Sequence, residues 1–159
     1  ATEIKGLENF DTSKVTDMGI MFASSVATEI KGLENFDTSK VTDMSWMFYG
    51  SKVTSLDLSS FDTSKVTDMS LMFKSSSVTG IKGLENFNTS NVTNMGQMFS
   101  YSKATTLDLS SFDTSKVTDM SWMFYGSKAT TGYARTQEDA DRFNASSNKP
   151  SALTFVVKS

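Results

Sequence analysis

A nine-residue phrase that recurs five times is the feature that most constrains how this chain can fold. Each copy is identical or closely similar to Phe-Asp-Thr-Ser-Lys-Val-Thr-Asp-Met. Two further residues separate it from a Met-Phe pair. A fixed period of 25 or 26 residues is typical of arrays in which each repeat packs only against its neighbours. The copies begin at Phe10, Phe36, Phe61, Phe87 and Phe112.

The apolar residues indicate which positions of the repeat form the core. All 10 Met and 10 of the 12 Phe lie at repeated positions, and the two exceptions are Phe143 and Phe155. One repeat is too short to bury these side chains alone, so we expect columns of equivalent residues that stack between neighbouring repeats.

The third and fifth repeats contain a Leu-Asp-Leu segment with the alternation of a half-buried strand. Residues 53–61 and 104–112 fit the leucine-rich-repeat pattern, with Phe at the position of its Asn. The sequence therefore predicts a β-rich solenoid with short helical or 3-10 turns. We expect a right-handed, leucine-rich-repeat-like stack of five coils of 25–26 residues, followed by a C-terminal α/β cap.

Other positions of the repeat predict local structure. An extra residue accompanies Gly6, Gly32 and Gly83 in three of the repeats, which indicates a bulge or a small bend in the strand. Asp-Thr-Ser-Lys is typical of a corner. Val-Thr-Asp-Met indicates a second short strand, and Met-x-x-Met-Phe indicates one inward-facing helical turn. Where the two repeat types alternate, Lys and Asp are expected to pair across neighbouring strands.

We predict a single domain with two parts, a repeat array at residues 1–128 and an ending at residues 129–159. Thr136 and Asp139 form a capping pattern that predicts a short helix at residues 137–143. Residues 153–157 have the composition of a strand. We expect this ending to cover the last coil.

The first coil begins directly with the repeated pattern, because residues 1–18 are identical to residues 27–44. Its outer side is expected to expose apolar side chains, namely Ile4, Phe10, Val15 and Phe22. Such a surface favours contact with another molecule, so we predict end-to-end self-association through this coil.

The composition excludes several classes of function. The chain has no Cys and no His, which removes disulfides, the usual general base and the commonest metal ligand. A net charge of −3 disfavours a nucleic-acid partner, and no apolar run is long enough for membrane insertion. Asp, Ser and Lys recur as ladders, so we predict no catalysis, no metal and no cofactor. No signal peptide is recognisable and the first residue is Ala, so we expect either a mature fragment or an expressed piece of a longer protein.

Residues 56–73 and 107–124 resemble the BspA-like leucine-rich-repeat surface proteins of bacteria, and the resemblance covers residues 1–128. Residues 132–144 are similar to a segment that often follows such repeats. The resemblance implies an extracellular, secreted or wall-attached protein that binds a host or matrix protein or a glycan in adhesion. It implies no catalytic residues. Family repeats often end in Met-Phe-x-x-Cys, whereas the last position here is Ser25, Ser51, Ser76, Ser102 and Ser127.

Positions that vary among the repeats are the candidates for binding. Next to the Met-Phe pair, large aromatic side chains occur in columns that also accept Gln or Ser, so we do not expect them in the core. Exposed Trp and Tyr are favoured contact residues. An alternative is that these rings only cover the apolar edge of the turn. The predicted binding residues are Trp46, Tyr49, Leu71, Lys74, Tyr101, Trp122 and Tyr125.

Two further alternatives remain open. The strand face is either a second binding surface or a solvated ladder of charges. Its charged residues are Glu29, Lys31, Asp57, Lys82 and Asp108. The second alternative is that the chain has no ligand of its own and is a structural stalk or an engineered or duplicated scaffold. Residues 36–52 and 112–128 are identical, which suits such a scaffold.

Overall fold

The structure is a computed structural model and describes residues 2–159. Within that range it contains one α-helix and short strands that all pair in parallel. The strands are β1 (Glu3–Ile4), β2 (Glu29–Ile30), β3 (Ser55–Asp57), β4 (Gly80–Lys82), β5 (Thr106–Leu109), β6 (Thr131–Ala134) and β7 (Thr154–Val157). The helix is α1 (Gln137–Asn144), and three 3-10 turns span Leu7–Asn9, Leu33–Asn35 and Leu84–Asn86.

The strands form three separate small sheets, so the predicted β-rich solenoid is wrong. β1 pairs with β2, β3 pairs with β4, and β5, β6 and β7 form the third sheet. Within residues 2–159, no strand pairing joins β2 to β3 or β4 to β5. The predicted leucine-rich-repeat-like coil stack requires pairing that continues from repeat to repeat. Most of each repeat is instead turn and irregular backbone.

Left-handed glycines account for the early end of two strands. Gly32 and Gly83 have φ angles of 95° and 99°, which a β-strand does not contain. Each glycine turns the chain out of its strand and directly into a 3-10 turn. The extra residue therefore lies in that turn and not in the predicted strand bulge. Both breaks between sheets fall where a glycine-containing repeat precedes a Leu-Asp-Leu repeat.

The segments around the Met-Phe pairs are series of reverse turns, so the predicted helical turns are also wrong. In the fifth repeat the N–H groups of Met123 and Tyr125 donate to carbonyls three residues earlier, at 3.3 and 3.2 Å. Trp122 and Gly126 have φ angles of 58° and 68°, which interrupt a right-handed helix. The predicted strand at Val-Thr-Asp-Met is reduced to isolated bridges between equivalent Asp or Asn residues.

Stacked aromatic rings run through the core, as the repeated pattern predicts. Consecutive rings lie 5.5–6.1 Å apart and within 9° of parallel. Offset or parallel stacking of this kind adds to the free energy of burial. The rings belong to Phe22, Phe48, Phe73, Phe99 and Phe124.

The C-terminal ending covers this column. The hydroxyl of Thr136 accepts the N–H of Asp139 at 3.2 Å, which confirms the predicted cap and helix. The predicted strand is present as β7. Phe143 of α1 and Phe155 of β7 pack on the ring of Phe124, with centroid distances of 5.8 and 4.8 Å. The boundary at residues 128/129 stays a prediction, and β5 pairs with β6 across it.

The outer face of the first repeat is not covered by residues 2–159. Phe10 is 64% exposed, whereas the equivalent Phe36 is 4% exposed. Ile4 and Val15 are half-buried. Phe22 is buried, contrary to the prediction, because its ring stacks on Phe48 at 5.6 Å.

Candidate functional site

Three of the predicted binding residues form one aromatic cluster, which we define as Tyr101, Trp122 and Tyr125. The rings of Trp122 and Tyr125 meet edge to face at 4.9 Å, and those of Tyr101 and Tyr125 do so at 5.1 Å. All three side chains are exposed. Edge-to-face contacts fix the rings relative to one another, so the cluster presents a defined apolar surface to solvent.

The remaining predicted residues lie in the second and third repeats. Trp46 and Tyr49 form a separate aromatic pair with centroids 4.7 Å apart. Leu71 is half-buried. The ammonium group of Lys74 donates to Oε1 of Gln97 at 2.5 Å, which joins the third repeat to the fourth. The structure therefore groups the aromatic residues into a triad and a pair.

The backbone is strained at the two Trp residues, Trp46 and Trp122. Trp46 and Trp122 have φ angles of 61° and 58°, in the left-handed region that normally favours Gly or Asn. Each Trp occupies the third position of a reverse turn, where a type II turn requires a positive φ. The N–H of Trp46 is held by the carbonyl of Ser70 in the next repeat at 2.9 Å. This bond fixes the turn while the side chain projects outward.

Gly126 contacts the aromatic cluster, and the sequence did not identify it. Its φ is 68°, and a Cβ built there would lie 2.6 Å from the ring of Tyr101. Any larger residue would therefore displace Tyr101 from the cluster. The equivalent positions are Ser24, Gly50, Ser75 and Tyr101, and all have positive φ. The presence of Gly or Ser at four of the five positions of this column was the available signal in the sequence.

Two groups in the fourth and fifth repeats have shifted pKa values. Hydrogen bonding with Tyr125 raises the pKa of the Tyr101 hydroxyl, so the Tyr101 phenol is neutral at physiological pH. The hydroxyl and the N–H of Ser121 lower the pKa of Asp119, which keeps that carboxylate charged. The aromatic cluster therefore offers apolar rings and the neutral hydroxyl of Tyr101.

The strand face contains ion pairs rather than a closed site. The predicted Lys–Asp pairing is confirmed between Lys82 and Asp57, at 3.2 Å. Lys31 pairs instead with Glu3 at 2.7 Å, and Asp108 pairs with Lys158 at 2.5 Å. An open depression of about 480 Å³ lies over β3 and β4.

Asp57 has the most strongly shifted pKa on this face. Hydrogen bonds from the hydroxyl and the N–H of Ser59, together with Lys82, lower the pKa of Asp57 to about 2. Solvent-exposed pairs of this kind contribute little to stability or binding.

A family model described as a Mycoplasma protein of unknown function, DUF285, matches residues 1–79 and 81–147. The chain belongs to DUF285. No curated protein and no solved structure matches it. The DUF285 match includes the aromatic cluster, the Trp46–Tyr49 pair and α1, and it ends before β7.

Residues 2–159 of this DUF285 chain contain no group of three or more Cys, Asp or Glu side chains placed to hold a metal ion. None of the described helices has the length and apolar character needed to cross a membrane.

Proposed function

We propose that this chain is a non-catalytic binding module of an extracellular, BspA-like bacterial surface protein. In this proposal the aromatic cluster contacts a host or matrix protein or a glycan during adhesion. Membership of DUF285, a repeat family, supports the repeat-protein part of the proposal. The residues quoted above for the BspA-like resemblance support its cell-surface part.

The observation that carries the proposal is the placement of bulky side chains at left-handed positions. A non-glycine residue in this conformation costs roughly 1–2 kcal/mol. Glycine would remove that cost at Trp46 and Trp122, and the chain does use glycine at Gly50 and Gly126. Backbone strain that is retained at exposed positions points to a role in function.

The chemistry of the cluster fits recognition better than catalysis. Trp and Tyr provide large contact areas with little side-chain entropy to lose, and each carries a polar group that can form a hydrogen bond. Every Asp or Glu with a shifted pKa in the described residues has that pKa lowered, most often by a local serine. A general acid that works near neutral pH needs a raised pKa instead.

The proposal is tested by screening the intact chain against extracellular-matrix proteins and a glycan array. We expect a ligand whose affinity falls at least about tenfold in the Trp46→Ala, Trp122→Ala double variant, since aromatic anchors dominate interface energies. Ile20→Ala is the matched control, because Ile20 occupies the equivalent position of the first repeat with the same backbone conformation, at φ of 65°, and is also exposed. A ligand that binds the double variant as tightly as the parent would remove this site assignment.

The alternative function is a structural stalk or scaffold with no ligand of its own. The identity of residues 36–52 with residues 112–128 favours it, because a spacer needs regular repeats and no specialised surface. Failure to bind any component of both screens, by a chain that is folded by circular dichroism, would support this alternative.

A further inference from the structure

A strip of exposed lysines follows the aromatic residues along the repeats. We define the lysine strip as Lys52, Lys103 and Lys128, which occupy the same position in the second, fourth and fifth repeats. All three are exposed, and none of them forms an ion pair within residues 2–159. The strip therefore carries positive charge that no carboxylate of the described residues pairs with.

The third repeat supplies its lysine from a neighbouring position. It has Ser77 at the strip position and Lys74 three residues earlier, where the second and fifth repeats have Tyr. The ammonium group of Lys74 donates to Gln97 and is in no ion pair of the described residues. Each repeat from the second to the fifth therefore adds one lysine here, whereas the first repeat has Ala23 and Val26 at the two positions.

Hydrogen bonds between repeats keep the strip in a row. The N–H of Lys52 donates to the carbonyl of Ser25 at 2.8 Å, and the N–H of Lys128 donates to that of Ser102 at 3.0 Å. These bonds fix each lysine to the repeat before it. Successive repeats follow one another at the 5.5–6.1 Å spacing of the stacked Phe rings, so the lysines recur at a regular interval.

A regular row of cations that alternates along the chain with exposed rings fits one kind of polymer. The chain reaches a strip lysine two or three residues after each Tyr of the candidate site, namely Tyr49, Tyr101 and Tyr125. We infer that the lysine strip binds an acidic polysaccharide, such as a sulfated glycan. The aromatic rings then pack on the apolar faces of its sugars. This inference rests on the proposed function and names the ligand class of the same surface.

The charge pattern favours a polysaccharide over other polyanions. An acidic polysaccharide carries charge on nearly every sugar, so it matches one lysine per repeat without a special sequence. A peptide would need acidic residues placed at that interval. The cell-surface location in the proposed function favours an extracellular polysaccharide over a nucleic acid.

A second column of lysines has the same spacing but a different setting. Each of its members lies three residues after an Asp at the corner of the repeat. The pKa of Asp37 is lowered first by hydrogen bonds from Ser39 and also by the charge of Lys40, so the two charges act on each other. This column therefore offers less unopposed charge than the lysine strip and serves as its control. Its members are Lys14, Lys40 and Lys65.

Calorimetric titration of the full chain with heparin, a sulfated polysaccharide, tests the inference without any substitution. Four lysines that neutralise a polyanion should reduce the affinity by about fiftyfold between about 50 and 200 mM NaCl, a slope of about −3 on logarithmic axes. Neutral dextran should not bind. Absence of heparin binding, or equally tight binding of polyglutamate or single-stranded DNA, would overturn the inference.

Two matched triple variants locate the contact. The strip variant carries Lys52→Gln, Lys103→Gln and Lys128→Gln, and the control variant carries Lys14→Gln, Lys40→Gln and Lys65→Gln. The strip variant should bind heparin at least about thirtyfold more weakly, with a salt slope of about −1. The control variant removes the same charge and should lose less than about threefold, because distant charges are screened. Circular dichroism establishes that both variants are folded. Equal losses would mean that only the overall charge matters and would overturn the inference.

The Trp46→Ala, Trp122→Ala double variant separates this inference from the proposed function. Heparin binding that is lost in the strip variant and kept in the double variant supports the lysine strip and removes the aromatic residues from the site. Loss in both variants supports a single site. If heparin does not bind but another ligand depends on the two Trp residues, the proposed function stands and the inference about the lysine strip is wrong.

Discussion

The two ends of the molecule start from the same repeat and finish differently. At the open end Phe10 is 64% exposed, whereas its equivalent Phe112 in the last repeat is fully buried. Phe112 stacks on Phe87 of the preceding repeat with centroids 6.1 Å apart, whereas no repeat precedes Phe10 in residues 2–159. At the other end, α1 and β7 follow the fifth repeat and pack on Phe124. An array of repeats therefore does not bury its own terminal core residues, and burial there depends on what packs against the last repeat.

The largest expected effect distinguishes the two ends by stability. Phe143→Ala removes a fully buried ring that covers the core column, and should lower the free energy of unfolding by about 3–5 kcal/mol. Phe10→Ala, at the open end, should cost less than about 1 kcal/mol because most of the ring is already in water. Urea denaturation of both variants measures the difference. Equal losses would show that the covered end is no better packed than the open one.

The second effect concerns Asp139, a buried carboxylate at the covered end. Asp139 accepts hydrogen bonds from the hydroxyl and N–H of Thr114 at 2.6 and 3.1 Å, and one from Arg135 at 3.1 Å. Asp139→Asn replaces charged acceptors with a weaker amide and should cost about 2–3 kcal/mol in the same denaturation experiment. Asp11→Asn is the control, since Asp11 is exposed and accepts its hydrogen bonds from the N–H and hydroxyl of the neighbouring Ser13.

The same carboxylate makes stability depend on pH. Burial alone raises the pKa of Asp139, but the bonds from Thr114, Thr136 and Arg135 outweigh it, so its pKa lies below the ordinary 3.8. A lowered pKa in the folded state contributes stability above the unfolded pKa, and that stability is lost as pH falls through the folded value. Unfolding measured from neutral pH down to about pH 2 should show a loss below about pH 4 that is smaller in Asp139→Asn. Identical pH profiles would exclude this role.

The smallest effect should be the same at both ends. Trp122→Gly should be more stable than Trp122→Ala by about 1 kcal/mol, because glycine relieves the left-handed backbone. Ile20→Gly and Ile20→Ala should differ by a similar amount, since Ile20 has a φ of 65° at the open end. Thermal denaturation of the four variants measures both differences. Unequal values would mean that the turn strain depends on the neighbouring packing.

Much of the molecule follows from its repeated residues. The buried columns of Phe and Met, the cap at Thr136 and the strand at β7 were all predictable, because burial periodicity and capping are local signals. The prediction of one continuous sheet was wrong because the Leu-Asp-Leu alternation indicates a strand but does not indicate whether the strand of the neighbouring repeat pairs with it. The conformations of Gly32 and Gly83 decide that question.

The candidate site was only partly accessible to sequence reasoning. Comparison among repeats identified variable aromatic positions, and Trp46, Tyr101, Trp122 and Tyr125 are exposed in the structure. The spacing of Met-x-x-Met-Phe fits a helical turn and a series of reverse turns equally well. The sequence therefore did not predict the positive φ angles of Trp46 and Trp122. The contact of Gly126 with Tyr101 joins two repeats and requires coordinates.

The hydrogen bonds between repeats also determine how the molecule responds to a pulling force. N–H groups such as those of Ile20, Trp46 and Leu71 donate to the next repeat, so their bonds lie along the direction in which the repeats follow one another. Tension between the ends then peels one junction at a time instead of shearing all of them together. Each repeat of about 25 residues releases up to about 80–90 Å of chain when it opens. Single-molecule extension should therefore show evenly spaced steps, and one rupture of the whole chain would contradict this mechanical behaviour.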